Sequence, residues 1–268
     1  MSSLTLSLIQ TSLHWEDKAA NLAQLEALIK GIPEKTEVVI LPEMFSTGFS
    51  MQPKKLAETM DGPSVQWMKR VAAEKRIILT GSLIIEENGD YFNRLIWMLP
   101  NGQYGVYDKR HLFGYAEEDQ HYAPGNKRFI ASVKGWKILL LVCYDLRFPV
   151  WSRQNGTLQE DGSKAPEYDL IIYVANWPER RNHAWKTLLQ ARAIENQCFV
   201  AGVNRTGNDG NAIYHSGDSM IVNPMGEILA TKAHEPWVHT LTLQRDELDH
   251  VRNKLPFLKD ADDFLIQP

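Results

Sequence analysis

Three apolar runs stand out along this chain, and each ends on a polar or reactive residue. They are Val38-Val39-Ile40-Leu41-Pro42-Glu43, Ile138-Leu139-Leu140-Leu141-Val142-Cys143 and Leu170-Ile171-Ile172-Tyr173-Val174-Ala175-Asn176. Runs with no polar alternation read as strands covered on both faces, and in open α/β sheets ligands collect just beyond the carboxyl ends of such strands. Elsewhere the two-residue period of a half-buried strand runs over 4–10, and a helical period runs over 17–29, 64–76 and 182–196. The triplet Asn88-Gly89-Asp90 between apolar stretches at 77–86 and 91–98 predicts a hairpin. Further strands are expected at 104–109, 129–133, 137–142, 198–204, 219–223, 227–230 and 238–243, with a helix starting near Pro149 over 148–155 and a short helix in the tail 245–264. Polar stretches at 42–63, 111–127 and 159–167 read as loops.

Strands alternate with helices, no Ser/Gly linker or repeat divides the chain, and the hairpins argue against a purely parallel sheet. A single α/β domain over 1–268 with mixed sheets is the expectation.

Composition narrows the partners. With 29 basic and 33 acidic residues the formal charge is -4, so no field favours nucleic acid or an anionic membrane. No apolar stretch reaches the ~18 residues of a membrane helix, and the first ten residues do not read as a signal peptide. Two cysteines, Cys143 and Cys198, make no disulfide framework and suit a reduced, cytoplasmic setting. A small-molecule substrate fits these bounds. His111, His121 and His183 lack metal-ligand spacing, so no metal is assigned.

A thiol, a carboxylate and an amide brought to one sheet edge suggest a nucleophile, a base and a positioning group. Cys143 could be a packed small hydrophobe, as most free cysteines are. The following Tyr144-Asp145-Leu146-Arg147-Phe148-Pro149, however, reads as a sharp strand-to-helix turn that holds the sulfur rigid and aims the next backbone N–H at an oxyanion. Glu43 after Pro42 is either a solvated strand-end charge or a partly desolvated general base. Lys109 could cover surface, or stabilise a developing oxyanion and lower the pKa of a nearby thiol. Arg147 could pair a substrate carboxylate or an internal one. Trp177 and Phe45 could wall a pocket or pack a core. Glu195, on an amphipathic helix, reads as structural.

Together, Leu41-Pro42-Glu43, Lys109-Arg110-His111-Leu112 and Val142 to Pro149 resemble the Glu–Lys–Cys signatures of the nitrilase, or carbon–nitrogen hydrolase, superfamily. The resemblance continues through Ala175-Asn176-Trp177-Pro178, Ala191 to Asn196 and Gly217-Asp218-Ser219, and so spans nearly the whole chain. Glu43-Met44-Phe45-Ser46-Thr47-Gly48-Phe49 is most similar to the omega-amidase branch, which hydrolyses ω-amides of 2-oxo dicarboxylic acids.

The resemblance implies a four-layer α-β-β-α sandwich that forms a homodimer. It implies Glu43 as base, Lys109 as oxyanion stabiliser and Cys143 as nucleophile. Arg147, Tyr144, Asn176, Trp177 and Phe45 are the candidates toward the substrate, and no cofactor is expected, since thiol and carboxylate can supply the steps. A second glutamate is implied six residues before a Pro-Gly pair; counting back from Pro124 gives Glu118, with Glu117 beside it. Nitrile, carbamoyl or general aliphatic amide hydrolysis, acyl transfer, and non-catalytic binding on the same fold remain as alternatives.

Overall fold

The computed structural model describes residues 2–158 and 164–266; residues 159–163, part of the expected loop 159–167, lie outside them. In chain order its strands are β1 (Ser3–Gln10), β2 (Val38–Ile40), β3 (Ile78–Glu87), β4 (Asp90–Met98), β5 (Tyr104–Asp108), β6 (Ile130–Val133), β7 (Trp136–Val142), β8 (Thr157–Leu158), β9 (Lys164–Ala165), β10 (Leu170–Ala175), β11 (Phe199–Asn204), β12 (Thr206–Asn208), β13 (Tyr214–Val222), β14 (Ile228–Ala233) and β15 (Trp237–Gln244). One six-stranded sheet runs β15-β1-β2-β3-β4-β5; a second runs β12-β13-β11-β10-β7-β6, with β14 added beside β13. Both are mixed. Each has a parallel centre, β1-β2-β3 in one and β7-β10-β11 in the other, flanked by antiparallel strands.

The alternation on β1 builds the layers. Leu4, Leu6 and Leu8, with Val38 and Ile40 of β2, join a core shared with β7, β10 and β11, so these faces of the two sheets meet. Ile9, Val39 and Leu79 point the other way, against Leu25 and Ile29 of the helix Lys18–Lys30 and Val65, Met68 and Val71 of the helix Pro63–Lys75. On the far side of the second sheet lies the helix Asn182–Asn196, which buries Trp185, Leu189 and Ala193. The result is the helix–sheet–sheet–helix sandwich expected. Among the described residues no helix is long and apolar enough to cross a membrane.

Local signals explain most boundaries. Asp17 caps the first long helix by accepting from the Ala20 N–H at 3.0 Å. Asn88 and Gly89 both have positive φ (56° and 89°), the geometry of a two-residue hairpin turn whose twist matches its strands.

Three expectations are corrected. The helix expected over 148–155 is a single turn, Pro149–Ser152, because Gln154 leaves the helical path to bond Asn196 through both its backbone and its side-chain N–H (3.0 and 2.5 Å). The loop 111–127 contains a 3₁₀ turn, Gly114–Ala116, and a helical turn, Glu118–His121. The strand expected at 219–223 starts at Tyr214, and an irregularity at Asp218 (φ 55°) hides its first half from the alternation.

Candidate active site

Cys143 and Asn176 follow directly from the buried strands β7 and β10 and Glu43 lies three residues beyond β2, and the packed sheets bring these ends together with Lys109 just after β5. Glu43, Lys109 and Glu118 are completely buried. The Lys109 ammonium donates to Glu43 Oε1 at 2.9 Å and to the two Glu118 oxygens at 3.0 and 2.8 Å. The remaining oxygen of Glu43 accepts the Asn176 backbone N–H at 2.8 Å, and the Asn176 side-chain amide donates to the Glu43 carbonyl at 2.5 Å. Glu43 is therefore gripped at both ends of its side chain.

Cys143 has φ 43°, as does Met44 immediately after Glu43. A non-glycine residue in the left-handed region costs about 1 kcal/mol or more, and such strain concentrates at functional sites. Asp145 holds the turn. Its buried carboxylate accepts the Val142 N–H (3.0 Å), the Tyr107 hydroxyl (2.8 Å), the His111 backbone N–H (3.0 Å) and a contact to His111 Nδ1 (2.9 Å). One carboxylate thus ties the Cys143 turn to the segment that carries Lys109.

The charges set the protonation states. Burial pushes the Cys143 thiol well above its ordinary range; the Glu43 carboxylate adds to this, and Lys109 opposes it without prevailing. The thiol-lowering effect expected of Lys109 is thus present but outweighed. Burial, partly offset by Lys109 and reinforced by Glu43, also raises the Glu118 carboxyl. Lys109 is held above the ordinary lysine range, because Glu118, Glu43 and the Cys143 sulfur outweigh its burial.

Lys109 and Cys143 open onto one cavity of about 240 Å³, walled by Phe49, Phe113, Tyr144, Asn176 and Trp177, with Arg147 at its edge. Glu43 and Glu118 lie behind Lys109, outside the wall. Arg147 rests over the Trp177 ring at 4.9 Å. Asn204 positions Trp177, accepting its backbone N–H at 2.7 Å and donating to its carbonyl at 2.9 Å.

Of the two adjacent glutamates, Glu118 reaches Lys109, while Glu117 is exposed at φ 59°. Phe45 is corrected: it is buried against Trp67, ring centroids 5.8 Å apart, in the core between sheet and helices, and Phe49 takes the cavity wall instead. Glu195 bonds Arg192 at 3.0 Å, and Arg192 reaches the Leu146 carbonyl at 2.6 Å, bracing the nucleophile turn from the helix.

The sequence reading passed over Asn93. Fully buried on β4, it donates to Glu43 Oε1 (2.8 Å) and Glu118 Oε1 (3.1 Å), so both carboxylates share one amide. The available signal was a polar side chain in the middle of an apolar hairpin strand.

A thiol, an ammonium and buried carboxylates around one small cavity can perform acyl transfer. Comparison with known proteins agrees with that chemistry. The carbon-nitrogen hydrolase family profile matches residues 5–253. The chain is 43% identical to "Omega-amidase YafV" of Escherichia coli K12 over 98% of this chain and 99% of that protein. It is 31% identical to "2-oxoglutaramate amidase" of Bacillus subtilis, covering 96% of each. The structure of XC1258 from Xanthomonas campestris, a CN-hydrolase superfamily protein with an arsenic adduct in its active site, superposes with a TM-score of 0.95 at 42% identity over 100% of both chains. This chain belongs to the carbon-nitrogen hydrolase family.

Proposed function

We propose that this protein is an omega-amidase that hydrolyses the ω-amide of a 2-oxo dicarboxylic acid monoamide, 2-oxoglutaramate or 2-oxosuccinamate, to the dicarboxylate and ammonia. The observation that carries the reading is the Cys143 thiol and the Lys109 ammonium opening together onto one 240 Å³ cavity. The full-length similarity to proteins named for that activity supports the substrate class.

The reaction runs in two halves. Glu43 takes the Cys143 proton as sulfur attacks the amide carbon. The Lys109 ammonium and the Tyr144 backbone N–H hold the oxyanion, each such donor being worth about 3 kcal/mol. Protonated Glu43 gives its proton to the departing nitrogen, which leaves as ammonia, and a thioester remains on Cys143. Glu43 then takes a proton from water as its oxygen attacks the thioester, and the acid and the thiol are regenerated. Glu118 and Asn93 keep Lys109 and Glu43 in place. Arg147 meets the substrate carboxylate, and Asn176 and Trp177 line the approach. The raised thiol suits this scheme, because a resting thiol needs the adjacent base at the moment of attack. Thiol and carboxylate supply every step, so no cofactor takes part.

One carbon–nitrogen hydrolase domain spanning 1–268 is proposed, working in the cytoplasm, where both cysteines stay reduced, and assembled as a homodimer. The decisive variant is Cys143→Ala. It is expected to abolish ammonia release from 2-oxoglutaramate while circular dichroism and thermal midpoint stay close to wild type; wild-type turnover in that variant would overturn the assignment.

A further inference from the structure

Besides Arg147, the cavity carries two more guanidiniums, Arg180 and Arg181. No carboxylate lies within ion-pair distance of any of the three among the described residues, whereas six of the ten arginines elsewhere in the chain, Arg70, Arg94, Arg128, Arg192, Arg245 and Arg252, are paired. Arg180 is exposed and Arg181 only partly so. The Arg181 guanidinium stands over the Phe113 ring at 5.1 Å and the Tyr115 ring at 5.9 Å. Ring faces attract the cation but accept none of its five N–H groups in the plane of the fork. Partial burial and the like charges of Arg180 and Arg147 hold Arg181 below the usual arginine range. A guanidinium crowded by like charge and short of acceptors is stabilised by an anion in front of it.

The backbone here is fixed. Arg181 N–H bonds the Pro178 carbonyl at 3.0 Å, and the Trp177 indole N–H donates to the Arg181 carbonyl at 2.8 Å. Trp177 is also the ring on which Arg147 rests. The Trp177 indole thus anchors the backbone that carries Arg181 and also supports the Arg147 guanidinium. Among the described residues the one carboxylate on the cavity wall is Asp209, whose Oδ1 accepts the backbone N–H groups of Asn211 (2.8 Å) and Ile213 (2.9 Å).

We propose that Arg181 is a specificity-determining residue that, together with Arg147, receives the carboxylate at the far end of the substrate, so that the cavity selects amides carrying an anion remote from the scissile bond. This rests on the omega-amidase reading for the identity of the amide and deepens it by naming a second anion-binding side chain. A planar fork suits a carboxylate bidentately, and a lysine at 181 would keep the charge but lose that geometry.

Arg181→Gln and Arg181→Lys test this. Turnover is measured on 2-oxoglutaramate and on pentanamide, which has the same chain length and no charge. Affinity for 2-oxoglutarate is measured calorimetrically in a Cys143→Ala background with and without Arg181→Gln. The expected result is a fall in selectivity for the anion over pentanamide of about tenfold or more, chiefly through KM, with Arg181→Lys intermediate. The calorimetric affinity should weaken by a similar factor. Equal losses on both amides, or undiminished 2-oxoglutarate binding, would overturn the proposal. If the wild-type protein instead consumes succinamate and ignores 2-oxoglutaramate, with the same dependence on Arg181, the 2-oxo reading falls and the role of Arg181 stands.

Discussion

The Cys143 sulfur sits between two carboxylates and one ammonium, and the balance among them sets its resting state. Burial and Glu43 both favour the protonated thiol, Glu118 adds a smaller push, and Lys109 is the main influence toward thiolate. The sign for a Glu43→Gln variant follows. Removing the negative charge takes away a raising influence and leaves Lys109 in place, so the thiolate forms at lower pH. Turnover moves the opposite way, because the group that accepts the proton is gone. In a Cys198→Ser background, thiolate absorbance against pH is expected to shift its midpoint down by about one unit in Glu43→Gln. Ammonia release should fall about a hundredfold or more. A midpoint that stays put or rises would show that Glu43 does not face the sulfur as described.

At the scale of elements, the Cys143 turn and the Lys109 segment are joined through Asp145. The same carboxylate receives Val142 on one side and Tyr107 and His111 on the other. The ring of His111 also stacks on Phe148 with centroids 3.8 Å apart, and the Trp151 indole bonds the Tyr107 hydroxyl at 2.9 Å. Asp145→Asn leaves a single carbonyl oxygen, so the amide N–H₂ must face the backbone N–H of either Val142 or His111, neither of which can accept. The expectation is a kcat roughly a hundredfold lower with KM much less affected, since sulfur and ammonium lose their mutual alignment. Hydrogen exchange should quicken at 107–111 and 142–147 together. Loosening confined to one segment would disprove the coupling.

Glu43, Cys143 and Asn176 were legible in the sequence because each ends an apolar run, whereas the role of Lys109 needed the family signature. Glu118 needed the family spacing, since a one-turn helix inside a polar loop has no period. Asn93 lies inside a strand, where a polar residue reads as the solvent face; its partners Glu43 and Glu118 come from segments 50 and 25 residues away. Phe45 and Phe49 stand four apart in a loop without periodicity, so nothing local could show that the first enters the core and the second the cavity. The helix Asn182–Asn196 appeared at its full length, while the one over 148–155 shrank to a turn because Asn196, far along the chain, captures Gln154.

For the whole molecule, the homodimer proposed above needs a contact surface, and the outer side of the second sheet offers a candidate. Val150, Ile194 and Met225 are about half exposed there, at 55%, 54% and 49%. They are neighbours in space: Gln190 donates to the Gly226 carbonyl at 2.8 Å, Gly226 packs on the Ile194 side chain, and Arg153 reaches the carbonyl of Glu195. Apolar side chains that a helix and two neighbouring turns leave exposed side by side are a common basis for a self-complementary dimer contact. The contact would also bear on catalysis, since Arg192 of the same helix holds the Leu146 carbonyl in the nucleophile turn. Light scattering of the wild-type protein is therefore expected to give twice the chain mass. Ile194→Asp, which places a charge in the centre of the patch, should give the single-chain mass and a kcat several-fold lower as the turn loses its support. A wild-type protein that stays monomeric at micromolar concentration would remove the dimer. An Ile194→Asp protein that remains dimeric would move the interface elsewhere on the surface. A monomeric variant with undiminished kcat would show that the nucleophile turn keeps its geometry on the hydrogen bonds of one chain alone.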